Sequence, residues 1–191
     1  MDLDIRPLKD TDPGALHEAS RVLHEAFGSG YPEERLARLI QEPARLILSA
    51  RLDAHIVCVG MAVRLGDDLR LFASFGEEAL ARLRRHRVGL LDSMAVASGL
   101  RAKGIGQRVA HELMAWLIEG GCDLAVAASW VSGGPNPSQP GLEKLGFQAI
   151  AEQPGEDHRI RNLGGRPCPV CGIPCRCSGI LFVRSLSSTR A

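Results

Sequence analysis

Two groups of residues in this 191-residue chain can carry chemistry by their type and spacing. The first is Arg101-Ala102-Lys103-Gly104-Ile105-Gly106, two glycines and two cations where an apolar run, Val88 to Val96, gives way to a helical pattern from about Gln107 to Glu119. At a helix N-terminus, unpaired backbone N–H groups and the positive end of the helix dipole make a seat for an anion, and glycine lets the backbone come close to it. A phosphate-bearing ligand suits such a turn, and so does a tight connection that binds nothing. The second group is Cys168-Pro-Val-Cys171-Gly172, followed by Cys175 and Cys177. Two thiolates close around an ion while glycine permits the turn, and four thiolates with no open position describe a structural tetrahedral Zn2+ site. The last pair is C-x-C, so an iron site, a redox disulfide, or three cysteines with His158 compete with zinc.

The glycine turn is not a Walker-type loop, which needs Gly-Lys followed by Ser or Thr where this chain has Lys103-Gly104. Nor is it a dinucleotide fingerprint, because Val109 stands where the third glycine belongs. Arg101-x-x-Gly104-x-Gly106, preceded by Met94-Ala95-Val96 and followed by an amphipathic helix, resembles motif A of the GNAT superfamily of acyl-CoA-dependent N-acetyltransferases. Asn136-Pro-Ser138 and Leu142-Glu-Lys-Leu-Gly146-Phe147 look like that family's motif B. The resemblance implies an α/β fold, a splayed mixed β-sheet flanked by helices, in one acyltransferase domain over residues 1–191. It implies that the fourth and fifth strands part to admit the thioester arm of acetyl-CoA. By the same resemblance the backbone of Met94, Ala95 and Val96 meets the pantetheine arm and acetyl group. The amides of Arg101, Ala102, Lys103, Gly104, Ile105 and Gly106 then hold the diphosphate, and Asn136 meets the cofactor arm.

The activity so implied is direct transfer of an acetyl, or other acyl, group to a primary amine of a small molecule or peptide. The chain departs from the pattern at one position: many members carry a tyrosine where this one has Leu142, and its single tyrosine is Tyr31. A thiol titrates near ~8.5, so a thiolate leaving group needs little help near neutral pH. A non-catalytic acyl-CoA-binding or zinc-stabilised interaction module on the same fold is the alternative. For a base, Asp92 interrupts an apolar strand beside the expected acetyl position, where burial raises a carboxyl pKa toward a useful range. The competing account of Asp92 is an ion pair with an arginine, and Glu25 and His158 are further base candidates.

The elements that must position these residues can be read from the periodicity. Leu3 to Leu8 suits a first strand, and Asp10-Thr-Asp12-Pro13 offers a cap and a first-turn proline for a helix lined by Leu16, Ala19, Leu23, Ala26 and Phe27. Tyr31-Pro32-Glu33-Glu34 opens a second helix carrying Leu36, Leu39 and Ile40. In the resembled family these two helices wall the acceptor pocket. Arg45 to Leu52 and His55 to Leu65 read as a hairpin turned at Asp53-Ala54, and Cys58 as a small buried apolar residue. A short helix follows Gly76, Cys122 to Trp130 is a buried strand joined to Val88–Val96 by a right-handed crossover, and strands are expected over 147–152 and 180–186. The 153–178 insertion between the last two strands is too long for an ordinary connection, so a metal there would fasten it and bring His158, Arg159 or Arg161 to the acceptor.

Composition narrows the partners. With 45% hydrophobic and 24% charged residues the chain is of ordinary globular make-up. Its 23 Lys and Arg offset 22 Asp and Glu, so no bulk field recruits nucleic acid or an anionic membrane. No apolar run is long enough to span a bilayer and Met1-Asp-Leu-Asp is not a signal peptide, so a cytoplasmic location is expected. A homodimer is the assembly left open.

Overall fold

The computed structural model describes residues 2–28, 31–131, 138–153 and 177–186. In chain order they form β1 (Asp4–Pro7), α1 (Pro13–Phe27), α2 (Glu33–Ile40), β2 (Arg45–Leu52), β3 (His55–Arg64), α3 (Glu77–Leu83), β4 (Val88–Val96), α4 (Ile105–Glu119), β5 (Leu124–Val131), α5 (Gln139–Lys144), β6 (Gln148–Gln153) and β7 (Ser178–Ser185). Two short 3₁₀ turns, Arg70–Phe75 and Ser98–Leu100, complete them. The strands make one seven-stranded sheet in the order β1-β2-β3-β4-β5-β7-β6. The chain groups into two compact units, Met1–Arg64 with Leu90–Gly121 and Leu65–Gly89 with Cys122–Ala191.

In the first unit β1, β2 and β3 pair antiparallel, Ile5 opposite Ala50 and Ile47 opposite Met61. The turn between β2 and β3 is the expected two residues, Asp53 and Ala54, both at positive φ. Strand alternation then sorts the side chains. Val59, Met61 and Ala95 join Leu16, Ala19, Val22, Leu23 and Leu36 in one core cluster, so one face of the strands is covered by α1 and α2. The residues between them face α4: a Cβ built on Gly60 would lie 2.7 Å from Val109 Cγ1, and one on Gly106 3.2 Å from Met94 Sδ. A strand covered on both faces needs the nearly unbroken apolar run seen in its sequence.

Helix α1 begins where the side chains require it. Asp12 Oδ1 accepts the Ala15 N–H at 3.0 Å, and Pro13 takes the first helical position, where no backbone donor is needed. Its buried stripe runs through Ala15, Leu16, Ala19, Val22 and Leu23. Phe27, read above as part of that stripe, is 36% exposed. It is the last residue of the helix, and its ring turns to Tyr31, 5.9 Å between centroids, instead of the core. On α4 the buried stripe takes in Ala110 and Met114 beside Ile105, Val109, Leu113 and Leu117. Trp116 lies at its edge under the Arg64 guanidinium, 3.8 Å from the ring centroid.

In the second unit β7 lies between β5 and β6 and is antiparallel to both, Val126 opposite Val183 and Ala149 opposite Phe182. The 3₁₀ turn over Arg70–Phe75 buries Phe72 and Phe75 and was not legible from periodicity. Helix α5 closes at Gly146, whose φ of 78° admits the sharp turn into buried Phe147.

Candidate active site

The chain leaves β4 through a bend whose backbone groups are largely spoken for. Ala97 N–H donates to Val57 O at 2.9 Å, which ties the bend to β3. Leu100 N–H donates to Ala97 O at 2.9 Å, closing the 3₁₀ turn. Ser98 N–H donates to the Glu25 carboxylate at 3.1 Å. The exposed Arg101 guanidinium turns back, its Nε donating to Val96 O at 3.1 Å. Ala102 then takes the left-handed conformation, φ 61°, and Gly104 does so again at φ 79° as the residue capping α4.

The two glycines of this loop differ in what they do. A Cβ at Gly104 would meet nothing within 4 Å, so its side faces open space and glycine is required there by φ alone. Gly106 serves packing: a Cβ would crowd Met94 Sδ at 3.2 Å and Val96 Cγ2 at 3.4 Å, so its absence lets α4 lie close on β4. Ile105 between them is 1% exposed and anchors the first turn. No side chain caps this N-terminus. A helix of 15 residues therefore presents first-turn amides and its positive dipole end where Arg101 and Lys103 are exposed, a donor set that fits a diphosphate.

A second polar cluster lies in the same unit. Tyr31, half-buried, hydrogen-bonds Ser93 Oγ through its hydroxyl at 2.6 Å, and the Arg35 guanidinium sits 4.8 Å from its ring centroid. Burial, and then the charge of Asp92, push the Tyr31 phenol above its ordinary value. Asp92 is ion-paired with Arg45, whose Nε also meets Glu42 Oε2 at 2.7 Å. For Arg45 burial is the strongest single influence and pulls downward, yet the two carboxylates together hold its pKa above the usual value. Thus Asp92 has the arginine partner that was the competing account of it. The Tyr31–Ser93 pair carries no sequence signal, since the two residues are 62 positions apart.

Of the other expected site residues, Met94, Ala95 and Val96 form the last turnless stretch of β4, with Ala95 in the α1 and α2 core and Met94 and Val96 toward α4. Leu142 lies in α5 and is half-buried. Asn136, His158, Arg159, Arg161, Cys168, Cys171 and Cys175 lie outside the described residues. Cys177 is described: it is 2% exposed, with Trp130 packed against it. Among the described residues no group of three or more His, Cys, Asp or Glu is placed to hold a metal.

Comparison with known proteins adds to this geometry. A family model described as "Acetyltransferase (GNAT) family" matches residues 16–147. A search of curated proteins by sequence gives no match. Among solved structures, an aminoglycoside 6'-N-acetyltransferase complexed with coenzyme A superposes with a TM-score of 0.69 at 14% identity, covering 98% of this chain and 99% of that one. The ribosomal-protein-S18-alanine N-acetyltransferase from Escherichia coli gives 0.62 at 16% identity, covering 100% and 99%. A GNAT family acetyltransferase from Elizabethkingia anophelis with acetyl-CoA bound gives 0.64 at 16% identity, covering 96% and 98%. At these identities the likeness is one of fold.

Proposed function

This chain belongs to the acetyltransferase (GNAT) family, and from that premise we propose that it transfers an acetyl group from acetyl-CoA directly to a primary amine of a small molecule or peptide. It is an N-acetyltransferase, and our reading takes residues 1–191 as one acyltransferase domain. The observation that carries the reading is the uncapped start of α4 behind a glycine-permitted bend, with exposed Arg101 and Lys103 beside it. The amides of residues 101–106 would hold the diphosphate, the backbone of Met94–Val96 the pantetheine arm, and Asn136 would meet that arm as well. Acetyl-CoA supplies the activated carbonyl carbon; the protein's task is to hold it, to offer donors to its oxygen and to take a proton from the amine.

Calorimetric titration with acetyl-CoA tests this. Wild-type protein should release heat with 1:1 stoichiometry, and Gly104→Val should weaken binding by about tenfold or more. A β-branched residue strains the left-handed position and covers the amides, and it has open space to fold into otherwise. Absence of heat with the wild type, or equal affinity in the variant, would remove the enzymatic reading. Leu142 favours one alternative, a non-catalytic acyl-CoA-binding module, because no proton donor stands at that position. Binding of acetyl-CoA with no release of free CoA across a broad amine panel would select it.

The four cysteines Cys168, Cys171, Cys175 and Cys177 are proposed to hold one structural Zn2+ within the 153–178 insertion. Burial of Cys177 beside Trp130 supports a fastening role at the end of that segment. Elemental analysis should give one zinc per chain, and a chelator should lower the melting temperature and raise the acceptor KM more than the acetyl-CoA KM. A metal-free protein whose four thiols all titrate in the native state would sink the assignment. No helix among the described residues is long and apolar enough to cross a membrane; a cytoplasmic location is part of the proposal, and the balance of 23 Lys and Arg against 22 Asp and Glu supports an enzyme that binds no nucleic acid.

A further inference from the structure

The loop offered to the diphosphate is held at its start by a residue far away in sequence. The 3₁₀ turn Ser98–Leu100 has no side-chain cap of its own from Ala97, which would leave its first N–H unmatched. Glu25, in the last turn of α1, supplies the missing acceptor: Ser98 N–H donates to its Oε1 at 3.1 Å, across 73 positions. The neighbourhood of Ser98, its side chain first and its backbone N–H next, holds the Glu25 carboxyl below the usual carboxylate range.

The sign of the charge narrows what this contact is for. Glu25 is exposed, and a carboxylate near an anion seat repels the ligand that seat is built for. Arg101 and Arg21 offset that charge, and what Glu25 adds to the loop is the hydrogen bond it accepts. That bond acts where it matters: Ala97 is tied to Val57, Ser98 to Glu25 and Leu100 back to Ala97, so the direction of the chain is settled before Arg101. Residues 101–106 follow from that bend, with the Arg101 Nε hydrogen bond to Val96 O and buried Ile105 holding them further along. We propose that Glu25 is a positioning residue for the cofactor loop, fixing the bend at Ser98 so that the amides of residues 101–106 point toward a bound diphosphate. It touches neither the reacting atoms nor the ligand, and it joins the end of α1, the helix expected to wall the acceptor, to the cofactor loop. This inference rests on the acetyl-CoA reading given above.

Two substitutions separate positioning from the other job Glu25 could hold, that of a base. Glu25→Gln keeps a side-chain oxygen that can accept the Ser98 N–H and discards the negative charge; Glu25→Ala discards both. The probe is coenzyme A, titrated calorimetrically, together with steady-state kinetics on an amine that the wild type acetylates. Glu25→Ala should weaken coenzyme A and raise the acetyl-CoA KM by about three- to tenfold, with kcat within about twofold of wild type. Glu25→Gln should bind coenzyme A as well as the wild type or better. Unchanged affinity in Glu25→Ala, equal weakening in both variants, or a fall of kcat with KM unmoved would each overturn the proposal. Should the wild type itself give no heat with coenzyme A, the acetyl-CoA reading fails with it, a result distinct from failure confined to the variants.

Discussion

A carboxylate at position 92 has two jobs open to it, and the structure supplies one of them. Asp92 is ion-paired with Arg45, whose side chain is only 13% exposed, and its charge also bears on the Tyr31 phenol. Removing the charge leaves a largely buried guanidinium with Glu42 as its remaining partner. Asp92→Asn should therefore cost about 1–2 kcal/mol of stability, read as a lower urea midpoint, with acetyl-CoA affinity unchanged. A fall in kcat of about 10²-fold without loss of stability would instead assign the residue proton transfer. The sequence showed both possibilities and could not choose, because the partner arginine is 47 positions away. The glycine turn was more legible. Its position and the α4 that follows it agree with the sequence pattern, and the structure adds that Gly106 makes room for Met94 and Val96. Close approach of a helix to a strand leaves no mark on a single sequence except the glycine itself.

At the level of elements, the β2–β3 hairpin shows what local chemistry can and cannot specify. Asp53-Ala54 was recognisable as a turn because it separates two runs rich in Val, Ile and Leu; the two-residue loop sets Leu52 opposite His55 and Arg51 opposite Ile56, and a bulge then shifts the register so that Ala50 faces Cys58. Both turn residues have positive φ, 49° and 69°, which aspartate adopts at less cost than alanine. Ala54→Gly should raise stability by about 0.5–1 kcal/mol, seen as a higher melting temperature with no change in coenzyme A affinity. A lower melting temperature would mean that the Cβ makes a contact worth more than the strain. Most other elements were legible for similar reasons: Asp12 and Pro13 start α1, Pro32 and two acids start α2, and alternation marks the strands. The Arg70–Phe75 turn was not, since six residues of 3₁₀ helix repeat too briefly to show a period. Nor did the end of α1 announce that Phe27 would leave the core stripe for Tyr31.

For the molecule as a whole, pH offers a test of how its surface carboxylates hold distant segments together. Glu18 accepts the Ile56 N–H at 2.8 Å, and that backbone hydrogen bond is the largest cause of its lowered pKa. Glu25 is lowered by Ser98, and Asp68 is brought to about 2 by Arg70. A carboxyl whose folded pKa lies below its unfolded one contributes stability that is complete above the unfolded value, 4.5 for these glutamates, and fades as pH falls through the folded value. Unfolding free energy measured in urea should thus be level from neutrality down to about pH 5 and decline below it. A decline that begins near pH 6 would count against these carboxylates as its cause. One group titrates far on the other side. Burial pushes the Cys58 thiol up to about 12, in the middle of β3 opposite Ala50. At pH 8 only about one molecule in 10⁴ carries it as the nucleophile, so a chromogenic disulfide added to follow liberated coenzyme A passes this sulfur by. In denaturant the same sulfur becomes reactive only as its strand opens, so its labelling, followed at Cys58 itself, times the unfolding of the core on which the loop after β4 is mounted.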